Sequence, residues 1–400
     1  MDGQCVAEYV LLPVANETWI EDDMRIIQIG PYPQSPDFIR GGIEASIYGL
    51  AQEQGRTDDV HVFDVPRIGG EYGVSHDGRV TVHRFCNEGQ WQISTSKQVK
   101  TMVSDICALR PDVCHIHGTG LFSWLIYRKL REESKVVVTI HGLVLVEKRN
   151  LLKQGFSWKR CFQCLYQGAV EKRFLYELPF AIVDTEYVRD MVDHYPIRKK
   201  PQMQVVPQGI NELYFSMECS KDSNVLLSVG AIGERKGHLL TLEAFELLRQ
   251  NGCDARLVIA GTVASRSYFE RLKQAINRSR FKEDIQLLPD LAEKELQELY
   301  RAAHVFVLHT QEESQGIVFA EAMAMGLPVV STKVGGVPFV VEDGLSGKLC
   351  DYGDVGAFAS NMELLLTDSR LWLSMSEQAL KTAQSYHWTR IKDQIMRVYH

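Results

Sequence analysis

The feature that most narrows the fold is an alternation carried along the whole chain. Short runs of apolar or β-branched residues end in Gly, Pro or polar residues and lead into segments with helical spacing. In the first half the runs are Arg25–Ile29, Val60–Phe63, Val113–Ile116, Val136–Ile140, Ala181–Val183 and Gln204–Val206. In the second half they are Val225–Val229, Arg256–Ile259, Ile285–Leu288, Val305–Leu308 and Pro328–Ser331. Leu239–Arg249, Ser267–Ile276 and Glu293–Ala302 place apolar residues three and four apart, the period of a helix with one buried face. A strand that is apolar on both faces must be covered on both, so the helices have to flank a mostly parallel sheet.

The pattern restarts after Pro207-Gln208-Gly209, and Glu218–Ser223 forms a polar bridge without strand character. The class is therefore α/β, with two Rossmann-like doubly wound domains over residues 24–208 and 209–385 and a cleft between them. A length of 400 residues fits this division at ~150 residues per domain. Residues 386–400 read as a C-terminal helix, near Trp388–Tyr399, free to pack back on either half, the N-terminal domain included.

Charge and cysteines bound the function. Residues 1–23 carry Asp2, Glu8, Glu17, Glu21, Asp22 and Asp23 and no Lys or Arg, which is most of the formal net charge of −7. This stretch reads as an acidic extension or as an artefact of start-site choice, and the near-neutral body lacks the basic surplus of a nucleic-acid-binding protein. Nine cysteines are an odd, scattered set that argues for a reducing compartment. The lone Cys161-x-x-Cys164 lies in helical text and reads as two ordinary helix cysteines. There is no apolar run of ~20 residues, and no basic segment followed by an apolar one at the start. The triplets at Asn16 and Asn277 have no leader to expose them to glycosylation, so a cytoplasmic location is expected.

The chemistry concentrates in Glu313-Ser-Gln-Gly316-Ile-Val-Phe-Ala-Glu321-Ala-Met-Ala-Met-Gly326-Leu-Pro328. Strand Val305–Leu308 ends in a polar loop, and a helix starts at about Gly316. The N–H groups of Gly316, Ile317 and Val318 would form an anion site at the positive helix end. Ala320, Ala322 and Ala324 keep the helix slim, and Gly326 and Pro328 stop it. The carboxylates of Glu313 and Glu321 flank this anion site and suit sugar hydroxyls, which need strong acceptors.

This stretch resembles the E-x7-E motif of retaining GT-B glycosyltransferases of family 4, the glycosyltransferase group 1 family. The resemblance runs from Met24 to about Tyr399. It takes in GPYP and GGIE near the first strand, TIHG at Thr139–Gly142, VVPQGI at Val205–Ile210 and VGAIGERKG at Val229–Gly237. It continues in VGGVPFVVEDGLSGKLC at Val334–Cys350. It implies a nucleotide-diphosphate sugar as donor substrate, with no further cofactor and no metal. It also implies that Glu321 binds the ribose hydroxyls, Glu313 the donor sugar, and Lys236 with the 316–318 amides the diphosphate. His141 is implied to lie beside the donor sugar, and Gly42 of Arg40-Gly41-Gly42 at the cleft, beneath a loop Pro31–Arg40 long enough to act as a lid. His115 and His117, which also end a strand, read as packing or loop residues.

Two positions depart from the family pattern. Ala231 stands where an Arg is common, so one phosphate-contacting cation is missing; Arg235 either replaces it or points to solvent. Pro289 stands where Gly is common, near the expected base pocket. Residues 147–173 hold Lys148, Arg149, Lys153, Lys159, Arg160, Lys172 and Arg173, interleaved with Phe156, Trp158, Phe162, Leu165 and Tyr166. Such a segment suits an anionic membrane surface, or else a helix that turns its aromatics inward. No DxD ends a strand, no GxGxxG follows the first one, and no GxxxxGK[ST] occurs, which sets aside an NAD enzyme and a P-loop protein. The expected function is transfer of a sugar to a hydroxyl acceptor, lipid-linked or polysaccharide, in cell-surface glycan synthesis. The alternatives are an epimerase or phosphorylase on the same fold, or a protein that binds a sugar nucleotide without turnover.

Overall fold

The computed structural model of the chain describes residues 23–39, 41–68, 73–87, 93–143, 158–216, 219 and 223–400. The acidic extension up to residue 22, Arg40 and the 147–157 part of the basic segment lie outside the described residues.

The first sheet has eight strands: β1 (Arg25–Gly30), β2 (Asp59–Ile68), β3 (Gly73–Asp77), β4 (Val80–Asn87), β5 (Val113–His117), β6 (Lys135–Ile140), β7 (Phe180–Val183) and β8 (Gln202–Val205). Their spatial order is β3-β4-β2-β1-β5-β6-β7-β8. All neighbours pair in parallel except β3 with β4. The second sheet has six parallel strands: β9 (Val225–Val229), β10 (Arg256–Gly261), β11 (Ile285–Pro289), β12 (Val305–Leu308), β13 (Val329–Thr332) and β14 (Gly347–Cys350). They are ordered β11-β10-β9-β12-β13-β14. The central strands are apolar throughout because both faces are covered: every residue of β9, β12 and β13 is buried.

Three strands were not expected from the sequence: β3, β4 and β14. The β3–β4 pair is an antiparallel hairpin at the sheet edge. A strand next to the edge with one partly wetted face alternates in polarity instead of running apolar, so Val80-Thr-Val-His-Arg-Phe of β4 does not look like the buried strands.

Each domain has its own apolar clusters, and the terminal helix joins the first of them. Trp388, Ile391, Ile395, Met396 and Tyr399 of the helix Trp388–Tyr399 pack with Ile26, Ile47, Val60 and Val82. The Trp388 ring fills the space beside two glycines, Gly49 in the helix Gly42–Gln54 and Gly209 in the connection between the domains. A Cβ at Gly209 would stand 2.5 Å from Trp388 Cδ2. The chain thus crosses back, and its last helix belongs to the first domain.

No helix among the described residues is long and apolar enough to cross a membrane. In the helix Trp158–Glu177, Cys164 is a buried free thiol, whereas Phe162, Leu165 and Tyr166 face solvent. The described aromatics of the basic segment, Phe162 and Tyr166, do not turn inward, whereas Phe174 further along the helix is buried.

Candidate active site

The two sheets turn their carboxyl ends toward each other across a cleft of about 1020 Å³. The loops after β9 and β12, neighbours in the second sheet, form one wall. The helix Ile317–Ala324 opens there from Gly316, whose φ of 80° is the left-handed conformation that glycine adopts without strain. Behind it Ala320, Ala322 and Ala324 are buried against the sheet. Gly336 lies under the same loop: its N–H bonds the Glu313 carbonyl at 2.8 Å, and a Cβ there would stand 1.8 Å from the Ser314 carbonyl oxygen. The Gly335-Gly336 pair is therefore what lets the 313–316 backbone settle.

Lys236, in a short 3-10 turn over Glu234–Lys236, reaches Glu313 as a buried ion pair. Thr310 Oγ1 donates to the same carboxylate at 3.1 Å. Arg235 also lines the cleft: its Nη1 lies 3.6 Å from Glu313 Oε2 and 3.3 Å from the Glu312 carbonyl, while about half of its side chain stays exposed. A solvent-only orientation is excluded. Burial pushes the Lys236 ammonium below the usual lysine range, and Glu313 opposes that shift.

Glu321 is the more perturbed carboxyl. Burial, with repulsion from Glu293, pushes it up to about 8. The Tyr300 hydroxyl donates to Glu321 Oε2 at 2.9 Å, which works in the opposite direction. Glu293 is in turn raised by burial and accepts from the Tyr214 hydroxyl at 2.9 Å. The two rings meet edge to face at 5.3 Å in the floor beneath the carboxylates.

The first domain supplies the opposite wall. His141 lies just past β6 and Asp184 just past β7, so adjacent strands bring them together: His141 Nδ1 is 2.9 Å from Asp184 Oδ2. His141 Nε2 lies 2.9 Å from His117 Nδ1, and the two rings stack at 5.2 Å. Three polar contacts seat this wall on the other domain. Gln208 N–H donates to Gln315 Oε1 at 2.7 Å, Gln315 Nε2 donates to the Gln208 carbonyl at 3.0 Å, and Thr185 Oγ1 donates to the Ser314 carbonyl at 2.8 Å. Gly42 approaches Ile317, with 3.4 Å between its ideal Cβ and Ile317 Cδ1. The loop from Pro31 touches the far domain as well, the Asp37 carbonyl accepting from Glu293 N–H at 3.1 Å.

Lys236, Arg235, Glu313, Gly316, Ile317, Val318, Glu321, Gly42 and His141 all line this one cleft. Sequence reasoning passed over Asp184, Gln208, His117, Tyr300 and Glu293. His115 is the packing residue expected, bonded to Thr139 and Tyr399. His117 is not only that, since it touches His141. The available signal was that both histidines end a strand facing the cleft.

Comparison with known proteins follows the same division. The profile described as Glycosyltransferase Family 4 matches residues 40–212, and that described as Glycosyl transferases group 1 matches residues 211–382. The chain is 32% identical to the D-inositol 3-phosphate glycosyltransferase of Corynebacterium urealyticum, over 94% of this chain and 95% of that one. Among solved structures, sucrose-phosphate synthase from Thermosynechococcus elongatus superposes with a TM-score of 0.78 at 19% identity, over 94% of this chain and 98% of that one. Anabaena HepE in complex with UDP-glucose gives 0.72 at 18% identity, over 94% and 99%. Two solved likenesses at such identities speak for the fold, and the near full-length relative speaks for the family. The chain belongs to the group 1, family 4 glycosyltransferases, enzymes of GT-B fold that use a nucleotide sugar.

Proposed function

We propose that this enzyme moves a hexosyl group from a uridine-diphosphate sugar to an acceptor hydroxyl with retention at the anomeric carbon. The observation that carries the reading is the buried Lys236–Glu313 pair at the mouth of the Ile317–Ala324 helix. It puts a cation, the helix amides and a carboxylate at one point, and the carboxylate is read as the acceptor for sugar hydroxyls. HepE, described with UDP-glucose, supports the choice of base. As the bond from the anomeric carbon to the diphosphate oxygen breaks, Lys236, Arg235 and the helix amides hold the departing charge. Electrostatic groups of this kind act where the charge develops. The acceptor oxygen bonds the same face of the carbon, and its proton passes to the leaving phosphate. Glu321 holds the ribose, and His141 lines the cleft beside the donor sugar.

The acceptor is read as lipid-linked or polysaccharide. Supporting this, Phe162 and Leu165 are 74% and 73% exposed on a helix that also exposes Lys172 and Arg173. An apolar face rimmed with basic residues suits an anionic bilayer. The name of the Corynebacterium relative favours a second reading, a soluble phosphorylated polyol.

The test is a thermal-stability screen against UDP-, GDP- and ADP-sugars in EDTA, followed by labelled-sugar transfer to both acceptor classes and NMR of the new anomeric centre. A shift with UDP-sugars and a retained configuration are expected. Binding at 100 times Kd adds ~2.7 kcal/mol. Lys236→Ala and Glu313→Ala should each lower turnover ~10²–10³-fold. An inverted product, or full turnover in either variant, would refute the mechanism.

A further inference from the structure

Asp184 is almost fully buried, and its Oδ1 has no partner among the described residues. A buried carboxylate needs a compensating positive charge or hydrogen bonds to every oxygen. Among the described residues the one basic group within ion-pair distance is His141, at 2.9 Å. Gln208 Nε2 adds a neutral donor to the same oxygen, Oδ2.

Counting protons along the contacts sharpens this. His141 Nδ1 faces Asp184, His141 Nε2 faces His117 Nδ1, and His117 Nε2 lies 2.8 Å from Gln28 Oε1. Gln28 Nε2 is committed to Gln54 Oε1 at 2.7 Å and the Tyr399 hydroxyl at 3.1 Å, which turns the amide oxygen toward His117. A carboxylate and an amide oxygen only accept. Both outer ring nitrogens must then carry hydrogen, and the ring-to-ring contact needs one more. Two neutral imidazoles carry one proton each, so the row closes only with one proton in excess.

We propose that Asp184 is a positioning residue that holds His141 as an imidazolium in the first-domain wall of the cleft, bonded to Asp184 on one side and to His117 on the other. Burial and the neighbouring His115 hold His117 far down, which leaves the charge on the ring against Asp184. The other titratable group facing the row is Tyr399, from the terminal helix, bonded to His115. The helix Gly42–Gln54 and the segment after β8 contribute Ser46 and Gln208, which carry no charge. The consequence for the reaction rests on the glycosyl-transfer reading. His141 Nδ1 and Gln208 Nε2 both donate to Asp184 Oδ2, and the Gln208 N–H bonds Gln315, so the imidazolium is seated next to the helix end assigned to the diphosphate. The anionic donor then meets fixed positive charge from both domains.

The experiment uses the full chain labelled with ¹⁵N-histidine, with the His141 ring identified by its loss in His141→Asn. The expected result is that both His141 ring nitrogens are protonated at pH 7. In Asp184→Asn the ring becomes singly protonated there, with its titration lowered by about 1–3 pH units, the span that an adjacent opposite charge commands. The alkaline limb of the kcat profile moves down by the same amount. A singly protonated His141 in the unmodified chain at pH 7 overturns the proposal. So does a ring whose titration ignores Asp184→Asn, or a turnover loss in that variant that is equal at every pH, the mark of a merely structural role. The ring measurement on the unmodified chain reads even if Asp184→Asn fails to fold. It also needs no substrate, so its outcome is separate from that of the transfer reading.

Discussion

Under the proposed assignment of Glu321 to the ribose, nucleotide-sugar binding is a proton-linked event. With the free-enzyme carboxyl at about 8, only about one molecule in ten has it ionised at pH 7. Ribose hydroxyls are donors and select the ionised form, so the bound state holds its proton less tightly than the free state. The sign follows: affinity grows as pH rises toward 8, then levels off. For a group titrating there, the gain from pH 6.5 to 8 is on the order of tenfold, and close to one proton leaves per ligand bound at pH 7. Lys236, lowered from the usual lysine range by burial, acts in reverse by losing its charge at higher pH. Affinity should therefore pass through a maximum on the alkaline side. The assay is calorimetric titration, in two buffers of different ionisation enthalpy, of whichever nucleotide sugar stabilises the enzyme best. A sugar nucleotide is preferable to the free diphosphate, whose terminal phosphate titrates near neutrality. Glu321→Gln should remove the rising limb and the proton release. An affinity that is flat or falling from pH 6.5 to 8, or a slope that survives in Glu321→Gln, would refute the assignment of Glu321 to the ribose.

Tyr300→Phe removes the 2.9 Å donor to Glu321, and a bond to a charged group is worth about 1.5–3 kcal/mol. The rising limb should move up by about 1–2 pH units in the same titration. Lys236→Met leaves Glu313 buried with only Thr310 at 3.1 Å and Arg235 at 3.6 Å. Breaking such a pair should cost about 3 kcal/mol in urea unfolding, most of it recovered when Glu313→Leu is added; equal losses in the single and double variants would show that the pair is not coupled. Gly209→Ala drives a methyl into Trp388, 2.5 Å from Cδ2. It should cost about 1–3 kcal/mol by overpacking, part of which Trp388→Leu returns.

Strands buried on both faces were legible because nothing in them competes with the apolar run: Val225–Val229 and Val305–Leu308 are strands over those same residues. The hairpin was not, although Gly78-Arg79 sits between its strands, with the glycine at a φ of 61°, a turn signal of known kind. It lacked the continuous apolar text that a search for parallel strands looks for. In the site, Glu313 and Glu321 share one helix and its loop, so their spacing shows in the text. Asp184 and Tyr300 reach His141 and Glu321 only because β7 lies beside β6 and the Glu293–Ala302 helix lies beside the Ile317–Ala324 helix, relations that no local period encodes. Arg235 was open between two orientations because its position depends on the Glu312 carbonyl, an acceptor on another strand's loop.

The return of the Trp388–Tyr399 helix to the first domain imposes an order on biosynthesis. The core around Ile26, Val60 and Val82 is closed by Trp388, Ile391 and Tyr399, which leave the ribosome only after the whole second domain has been translated. The second domain has self-sufficient clusters of its own and can complete folding while its elder half still lacks a wall. Until then the early-made half presents bare aliphatic surface, the state in which nascent chains aggregate or engage chaperones. The half that is made first is the one that finishes last.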